Sequence, residues 1–303
     1  MKAALLREVD GPFELVGLPD PDASGKVVVH VRAAGVNFAD VLIRRGRYPQ
    51  MPELPVVLGS EIAGVLEDGT RVMAFTSGAG GYAELAAVDG AQVVPLPDNA
   101  SFAEGASFLL TFLTAYIPLT RLVRIRPGAS VLVLAAAGGV GTATIQVARS
   151  LGARVVAAAG SPEKVDLCRS LGAAETYVYA EIPGDLRVDV VVDPVGGELF
   201  ERALGQLKPM GTLIAIGFAA GAWPEISPAN LVGRNVGVHG FYLGRLMRHA
   251  PELVGEAVGE LLGLWQAGSL KPVVGTELPL DEVERAHELV ESRRSTGKVV
   301  LLP

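Results

Sequence analysis

AAAGGVGTATIQVA, residues 135–148, follows the apolar run Val131-Leu132-Val133-Leu134 and opens an amphipathic pattern. A short buried strand, a glycine turn and a helix begin a dinucleotide-binding βαβ unit. Gly138, Gly139 and Gly141 let backbone N–H groups approach a pyrophosphate, and the partial positive charge of a helix N-terminus faces it. Read as G-x-G-x-x-G, the turn has Ala136 in place of the first glycine. Taken alone it also fits plain strand-to-helix packing, so the flanking sequence decides.

Downstream, strands alternate with helices from Ser130 to about Phe241, which implies right-handed crossovers and a parallel sheet covered on both faces. Strands are expected at Val131–Leu134, Arg154–Ala159, Thr176–Tyr179, Val188–Val192, Thr212–Ile216 and Val236–Phe241. These six make a doubly wound sheet. Upstream the chain reads as short strands between proline and glycine turns: Lys2–Leu6, Phe13–Leu18, Lys26–Arg32, Val56–Leu58, Ile62–Leu66, Arg71–Phe75 and Tyr82–Ala87. A helix, VNFADVLIRRGRYP, interrupts them, and the spacing suits a small open barrel. Ser101-x-x-Glu104 is a capping-box signature before helical sequence that runs to about Leu122.

After a long helix over Pro251–Ala267 the chain becomes extended again. Asp281-x-x-Glu284 reads as the cap of a last helix, and Val299–Leu302 as a closing strand. This tail has the β character of the N-terminal part and is expected to rejoin it. The expected organisation is 1–112 and 247–303 forming one β-rich domain, with 113–246 as an inserted nucleotide domain.

Half of the 303 residues are hydrophobic and 19% are charged, enough for two cores. No apolar stretch free of glycine and charge reaches the roughly 18 residues of a membrane span, and the N-terminus turns polar too soon for a signal peptide. A cytoplasmic protein with no membrane partner is expected. The formal charge of −7, with no basic block, argues against nucleic acid as the main partner. Cys168, the one cysteine, excludes an intramolecular disulfide and reads as a small core residue.

An NAD-selective site places an Asp or Glu at the end of the second strand, for the ribose 2′-OH. Here that strand ends Ala159-Gly160-Ser161 and a helix begins Ser161-Pro162-Glu163-Lys164. A hydroxyl, helix N–H groups and an ammonium are thus offered to a 2′-phosphate, with Glu163 the contrary sign. NADPH is the expected cofactor. Plain helix capping by Ser161 and a solvated Lys164 would produce the same residues.

Several segments together resemble one family, the zinc-independent quinone oxidoreductases of the medium-chain dehydrogenase/reductase superfamily, related to ζ-crystallin. They are AAGVNFADVLIRRGRYP, LGSEIAGVL, GGYAE, FLTAY, AAAGGVGTATIQVA, VDVVVDPVGG and STGKVVLLP. The resemblance implies an α/β chain in which a GroES-like catalytic domain is split by a Rossmann domain. Zinc-dependent relatives carry a Cys where this chain has Asn37 and a Gly-His-Glu where it has Gly59-Ser60-Glu61. His30, His239, His249 and His287 have no ligand spacing.

By that resemblance Asn37 and Tyr48 line the cleft where nicotinamide and substrate meet, and Thr114 lies close to the cofactor. Gly138, Gly139 and Val140 match the pyrophosphate turn, and Gly160, Ser161, Lys164 and Tyr179 the adenosine-phosphate pocket. Ile216, Gly217 and Phe218, with Gly240, Phe241 and Tyr242, match loops that carry the nicotinamide, and Arg293 a basic residue near the C-terminus. The chain departs from the family at Ala180, where members often have Arg, and around Leu42-Ile43-Arg44 and Ile117, where aromatics can occur.

The implied function is hydride transfer from NADPH to a quinone, with Asn37 and Tyr48 positioning rather than exchanging protons. Reduction of α,β-unsaturated carbonyls is the alternative, and a non-catalytic NADPH- or RNA-binding crystallin-like protein a further one. Asp40 is expected to cap locally or pair with Arg44, and Arg44, Arg45 and Arg47 to form a solvated face. A homodimer is expected from the family and from the strand near Val236, whose edge is free to pair.

Overall fold

Short strands broken by proline and glycine build the N-terminal part, as the alternation predicts. The computed structural model describes Met1–Pro303 and divides into two units, Met1–Leu109 with Pro272–Pro303, and Leu110–Lys271. The first contains β1 (Lys2–Leu6), β2 (Phe13–Gly17), β3 (Val27–Val36), α1 (Phe38–Arg44), β4 (Val56–Val57), β5 (Glu61–Val65) and β6 (Arg71–Phe75). β7 (Leu85–Val88), β8 (Val93–Pro95) and α2 (Phe102–Gly105) follow.

The chain then forms α3 (Leu109–Ile117), β9 (Ser130–Val133), α4 (Gly139–Ser150), β10 (Arg154–Ala159), α5 (Pro162–Ser170), β11 (Glu175–Val178) and β12 (Val188–Asp193). The second unit continues with α6 (Gly197–Gly205), β13 (Leu207–Ala215), α7 (Pro228–Arg234), β14 (Gly237–Gly240), α8 (Leu243–His249) and α9 (Pro251–Gln266). Returning to the first unit, it ends with β15 (Val274–Pro279), α10 (Val283–Glu291) and β16 (Lys298–Leu302).

In the first unit β1 pairs antiparallel with β2 and β4. A second sheet runs β15-β16-β3-β5-β6-β8, with β7 also on β3. The returning C-terminal strand β16 therefore lies between β15 and β3, with Val299 opposite Val36 and Val300 opposite Gly35. Leu6, Leu58, Ile62, Tyr82, Val299 and Leu301 are among the buried side chains of its core.

The second unit has one sheet, ordered β11-β10-β9-β12-β13-β14 and parallel throughout. β9 sits at the switch point, where the chain leaves one half of the sheet for the other. All six strands form where the sequence places them, five of them within a residue or so, while β13 already begins at Leu207 and not Thr212. The stretch Phe102–Leu122 is long and apolar enough to cross a membrane by length and composition, and most of it is buried in the protein, as in a core helix.

Three expectations are corrected. The second unit runs to Lys271 and not 246, because α9 buries Val254, Ala257, Leu261 and Trp265 there. Gln146 of α4 also clasps the Lys271 backbone, donating to its carbonyl at 2.9 Å and accepting its N–H at 2.7 Å. An amphipathic pattern tells that a helix buries one face, not against which sheet. The Ser101 and Glu104 box forms, whereas Asp281 and Glu284 make none. A 3₁₀ turn at Leu280–Glu282 delays the last helix to Val283, and Glu284 accepts the Phe13 N–H at 2.7 Å and pairs with Arg44 at 2.7 Å. Nor do Arg44 and Arg45 join the exposed Arg47 in a solvated face. Arg44 is buried over the Phe13 ring, and Arg45 bridges Asp10 and Glu291.

On α9, Gly255, Gly259 and Gly263 face open space, where an added Cβ meets nothing. Each Gly→Ala change should stabilise the protein by about 0.5–1 kcal/mol through a smaller loss of backbone entropy. A triple variant whose thermal midpoint does not rise contradicts this.

Candidate functional site

Residues with chemical potential gather in two places, one in each unit. In the second, β9 delivers the chain to Ala135, which adopts a left-handed φ of 48°. The Ala136 N–H then bonds to the Ala158 carbonyl of β10 at 3.0 Å, and α4 begins at Gly139. A Cβ on Gly141 would run into the Ala135 carbonyl oxygen and the Ala136 backbone, so this glycine permits the helix to seat against the strand. Gly138, Gly139 and Val140 remain half-exposed. The first-turn N–H groups there have no intrahelical acceptor and present a positive dipole end.

Tyr179, just beyond β11, ties this turn to the neighbouring strand. Its hydroxyl accepts the Ala135 N–H at 3.2 Å, and its ring stands 3.8 Å from where a Cβ of Gly160 would be. Ser161 caps α5 by position, with Pro162 in its first turn. The Ser161 hydroxyl bonds to Glu163, lowering that carboxyl, and burial lowers the Lys164 amine. Ile216 follows β13, its N–H held by the Asp193 carbonyl at 2.9 Å. Phe218 packs on Trp223 with ring centroids 4.7 Å apart. Gly240, Phe241 and Tyr242 follow in the same way at the end of β14, where the Phe241 N–H bonds to Ala215. Thr114 is buried on α3.

Asp193, which the motif reading passes over, caps this edge. Its carboxylate accepts the N–H groups of Val195 at 2.7 Å and Gly196 at 3.0 Å, shaping the Val195-Gly196-Gly197 turn. Burial raises its pKa, opposed by those two N–H bonds. Cys168 is buried and its thiol is pushed up to about 11, consistent with a packing role. Arg293 belongs to the first unit, exposed beyond α10 with a φ of 57°.

In the first unit, Asn37 precedes α1 and sits in a buried polar cluster. Its N–H donates to Asp40 at 2.8 Å, its amide Nδ2 donates to Glu61 Oε1 at 3.1 Å, and its Oδ1 accepts from Lys298. Lys298 also pairs with Glu61, both nearly inaccessible. Asp40 accepts the Tyr82 hydroxyl at 2.9 Å; it does not pair with Arg44, which turns instead to Glu284. Tyr48 lies past the end of α1, half-buried against the first unit's core. Glu61 lies in LGSEIAGVL and Lys298 in STGKVVLLP, but a charge within an apolar strand pattern carries no sign of its partner.

Across the whole chain the similarities to known proteins follow this division. An alcohol dehydrogenase GroES-like domain model matches residues 23–98, and a zinc-binding dehydrogenase model matches 139–258. The quinone oxidoreductase of Rattus norvegicus is 33% identical, covering all of this chain and 98% of the relative. The chain belongs to the quinone oxidoreductase family of the medium-chain dehydrogenase/reductases. Among solved family structures, the quinone oxidoreductase of Thermus thermophilus, described with its NADPH complex, is 44% identical with a TM-score of 0.93 over all of both chains. The Escherichia coli quinone oxidoreductase complexed with NADPH is 30% identical, with a TM-score of 0.90 over 100% of this chain and 99% of that one. Despite the zinc in one family model's description, no three His, Cys, Asp or Glu side chains come together here.

Two buried groups in the first unit give stability opposite pH dependences. His287 packs between Phe13 and Tyr82, with neither ring nitrogen partnered, and burial with nearby Arg44 and Arg45 lowers it to about 3. As pH falls below the ordinary 6.5, the unfolded chain takes up that proton first and the fold loses stability. Burial raises Asp40 to about 6, against the Asn37 and Tyr82 hydrogen bonds that lower it. As pH falls from there towards 3.8, the folded chain takes up the proton first and gains stability. Between pH 4 and 6 the two nearly cancel. Relative to the native protein, His287→Leu should therefore tilt stability by about 1.4 kcal/mol per pH unit towards acid, and Asp40→Asn by a similar amount towards base. Denaturant titrations at pH 4, 5 and 6 check both signs; parallel curves for all three proteins contradict the assignment.

Proposed function

We propose that this family member is an NADPH-dependent quinone oxidoreductase that transfers hydride without zinc. The observation that carries the reading is the end of β10. Ala159-Gly160-Ser161 bears no carboxylate where an NAD-selective site holds the ribose 2′-OH. Ser161, Lys164 and Tyr179 instead supply a hydroxyl, an ammonium and an aromatic ring beside that end, which suits a 2′-phosphate.

The residues fit the cofactor. Gly138, Gly139 and Val140 would hold the pyrophosphate at the start of α4, where the bare Gly141 lets the helix seat closely. Gly160, Ser161, Lys164 and Tyr179 would hold the adenosine phosphate. Thr114, Ile216, Gly217, Phe218, Gly240, Phe241 and Tyr242 would carry the nicotinamide end.

Bound NADPH supplies a hydride, and a conjugated acceptor spreads the arriving negative charge without a Lewis acid. The donor set supports a zinc-free site, since Asn37 and Ser60 stand where zinc-dependent relatives carry Cys and His. Asn37 and Tyr48 position the reactants, and solvent supplies the proton. NADPH oxidation followed across a panel of quinones and enones tests the substrate class. Turnover with enones alone moves the assignment to enone reduction, and tight binding with no turnover makes the protein a non-catalytic binder. Asn37→Ala and Tyr48→Phe should each lower turnover about tenfold or more while leaving NADPH binding by fluorescence intact. Unchanged turnover in both overturns the positioning role.

The proposed assembly is a homodimer through β14. This is an edge strand, and Met210, Trp223, Ile226 and Val232 expose apolar surface on the adjoining segments. Sedimentation should give a dimer for the native protein, and Val238→Pro should shift it towards monomer; a native monomer at micromolar concentration contradicts the arrangement.

A further inference from the structure

Lys298 opens a strand whose next three residues are buried and apolar, yet its own side chain is only 3% exposed. The ammonium donates to Asn37 Oδ1 and to Glu61 Oε1. An ammonium only donates and a carboxylate only accepts, so an amide bridging the two has one permitted orientation. Asn37 must turn Oδ1 to Lys298 and Nδ2 to Glu61. Its second Nδ2 hydrogen is directed at the Gly35 carbonyl, 3.4 Å away. Gly35 borders the meeting point: a Cβ there would strike the Ala106 carbonyl oxygen at 2.1 Å and would also crowd Glu61 Oε1 and Lys298 Cε, each at 2.9 Å.

Stability alone does not call for this pair. A buried ion pair is often no better than apolar residues of the same volume, and its better-attested use is to impose one arrangement on its surroundings. We propose that Lys298 and Glu61 are positioning residues that lock the Asn37 amide so that its oxygen is the one group it can offer a ligand. Asn37 then accepts a hydrogen bond from a hydroxyl of a reactant and does not donate to the carbonyl oxygen of the acceptor. This rests on the reading above that Asn37 meets the reactants.

Lys298→Met alone leaves the Glu61 charge buried without its cation and endangers folding. The paired variant Lys298→Met/Glu61→Gln removes both charges, and a glutamine, which donates and accepts, imposes no orientation. It is made in the native background and in the Asn37→Ala background. In cofactor-free protein, the Asn37 side-chain amide signal in NMR, assigned by its loss in Asn37→Ala, should exchange slowly with solvent and become about tenfold faster in the paired variant. With NADPH and a quinone, the pair of changes should lower kcat about tenfold or more in the native background and less than about twofold in the Asn37→Ala background. An unaltered amide exchange rate, or an equal fall of kcat in both backgrounds, overturns the locking role. Unchanged turnover in Asn37→Ala alone overturns the underlying reading of Asn37 and this inference with it.

Discussion

A lysine ammonium in a protein interior has to be met by groups that replace its water, or the burial costs several kcal/mol. In the first unit this requirement joins segments that are far apart in the chain. Lys298 comes from the last strand, Glu61 from β5 and Asn37 from the start of α1. The register of β16 against β3, with Val300 opposite Gly35, brings the lysine alongside a glycine at which a side chain would crowd it and strike the Ala106 carbonyl. The C-terminal strand thus completes a sheet and also delivers the cation that organises the polar cluster under α1. Removing any one member leaves the others buried and mismatched, so the cluster behaves as a single constraint.

The second unit depends on a steric constraint of a different kind. β9 lies between β10 and β12, so the turn that follows it opens at the switch point of the sheet. There the backbone passes close enough to α4 that Gly141 cannot carry a side chain. Tyr179 and Asp193 hold the flanking loops, one by accepting the Ala135 N–H and the other by accepting two N–H groups of its own turn. The edge so formed keeps half-exposed N–H groups at a helix start beside a strand end without a carboxylate. Both features favour an anionic dinucleotide.

The two constraints divide the chemistry. The nucleotide edge is built mostly from backbone and small residues, which suits holding phosphate. The cluster under α1 is built from side chains of fixed polarity, which suits holding one amide in one orientation. Asp40 and Tyr82 extend that cluster towards His287, whose unpartnered ring nitrogens show that this part of the core tolerates a neutral imidazole as a filler between two aromatic rings.

By itself the sequence determined the order of strands and helices, the glycine turn, the acid-free strand end and the family, because these depend on local periodicity and on residues close together in the chain. The parallel sheet was legible in the same way, strand by strand. The tertiary structure decided what depends on long-range pairing. It assigned α9 to the second unit, turned Glu284 from a cap into a partner of Phe13 and Arg44, and buried Arg44, which reads as surface. Above all it brought Lys298 to Glu61 and Asn37. A hydrophobic pattern records that a strand is buried, but a charge within it is explained by its counter-charge, and that lies 237 residues away along the chain.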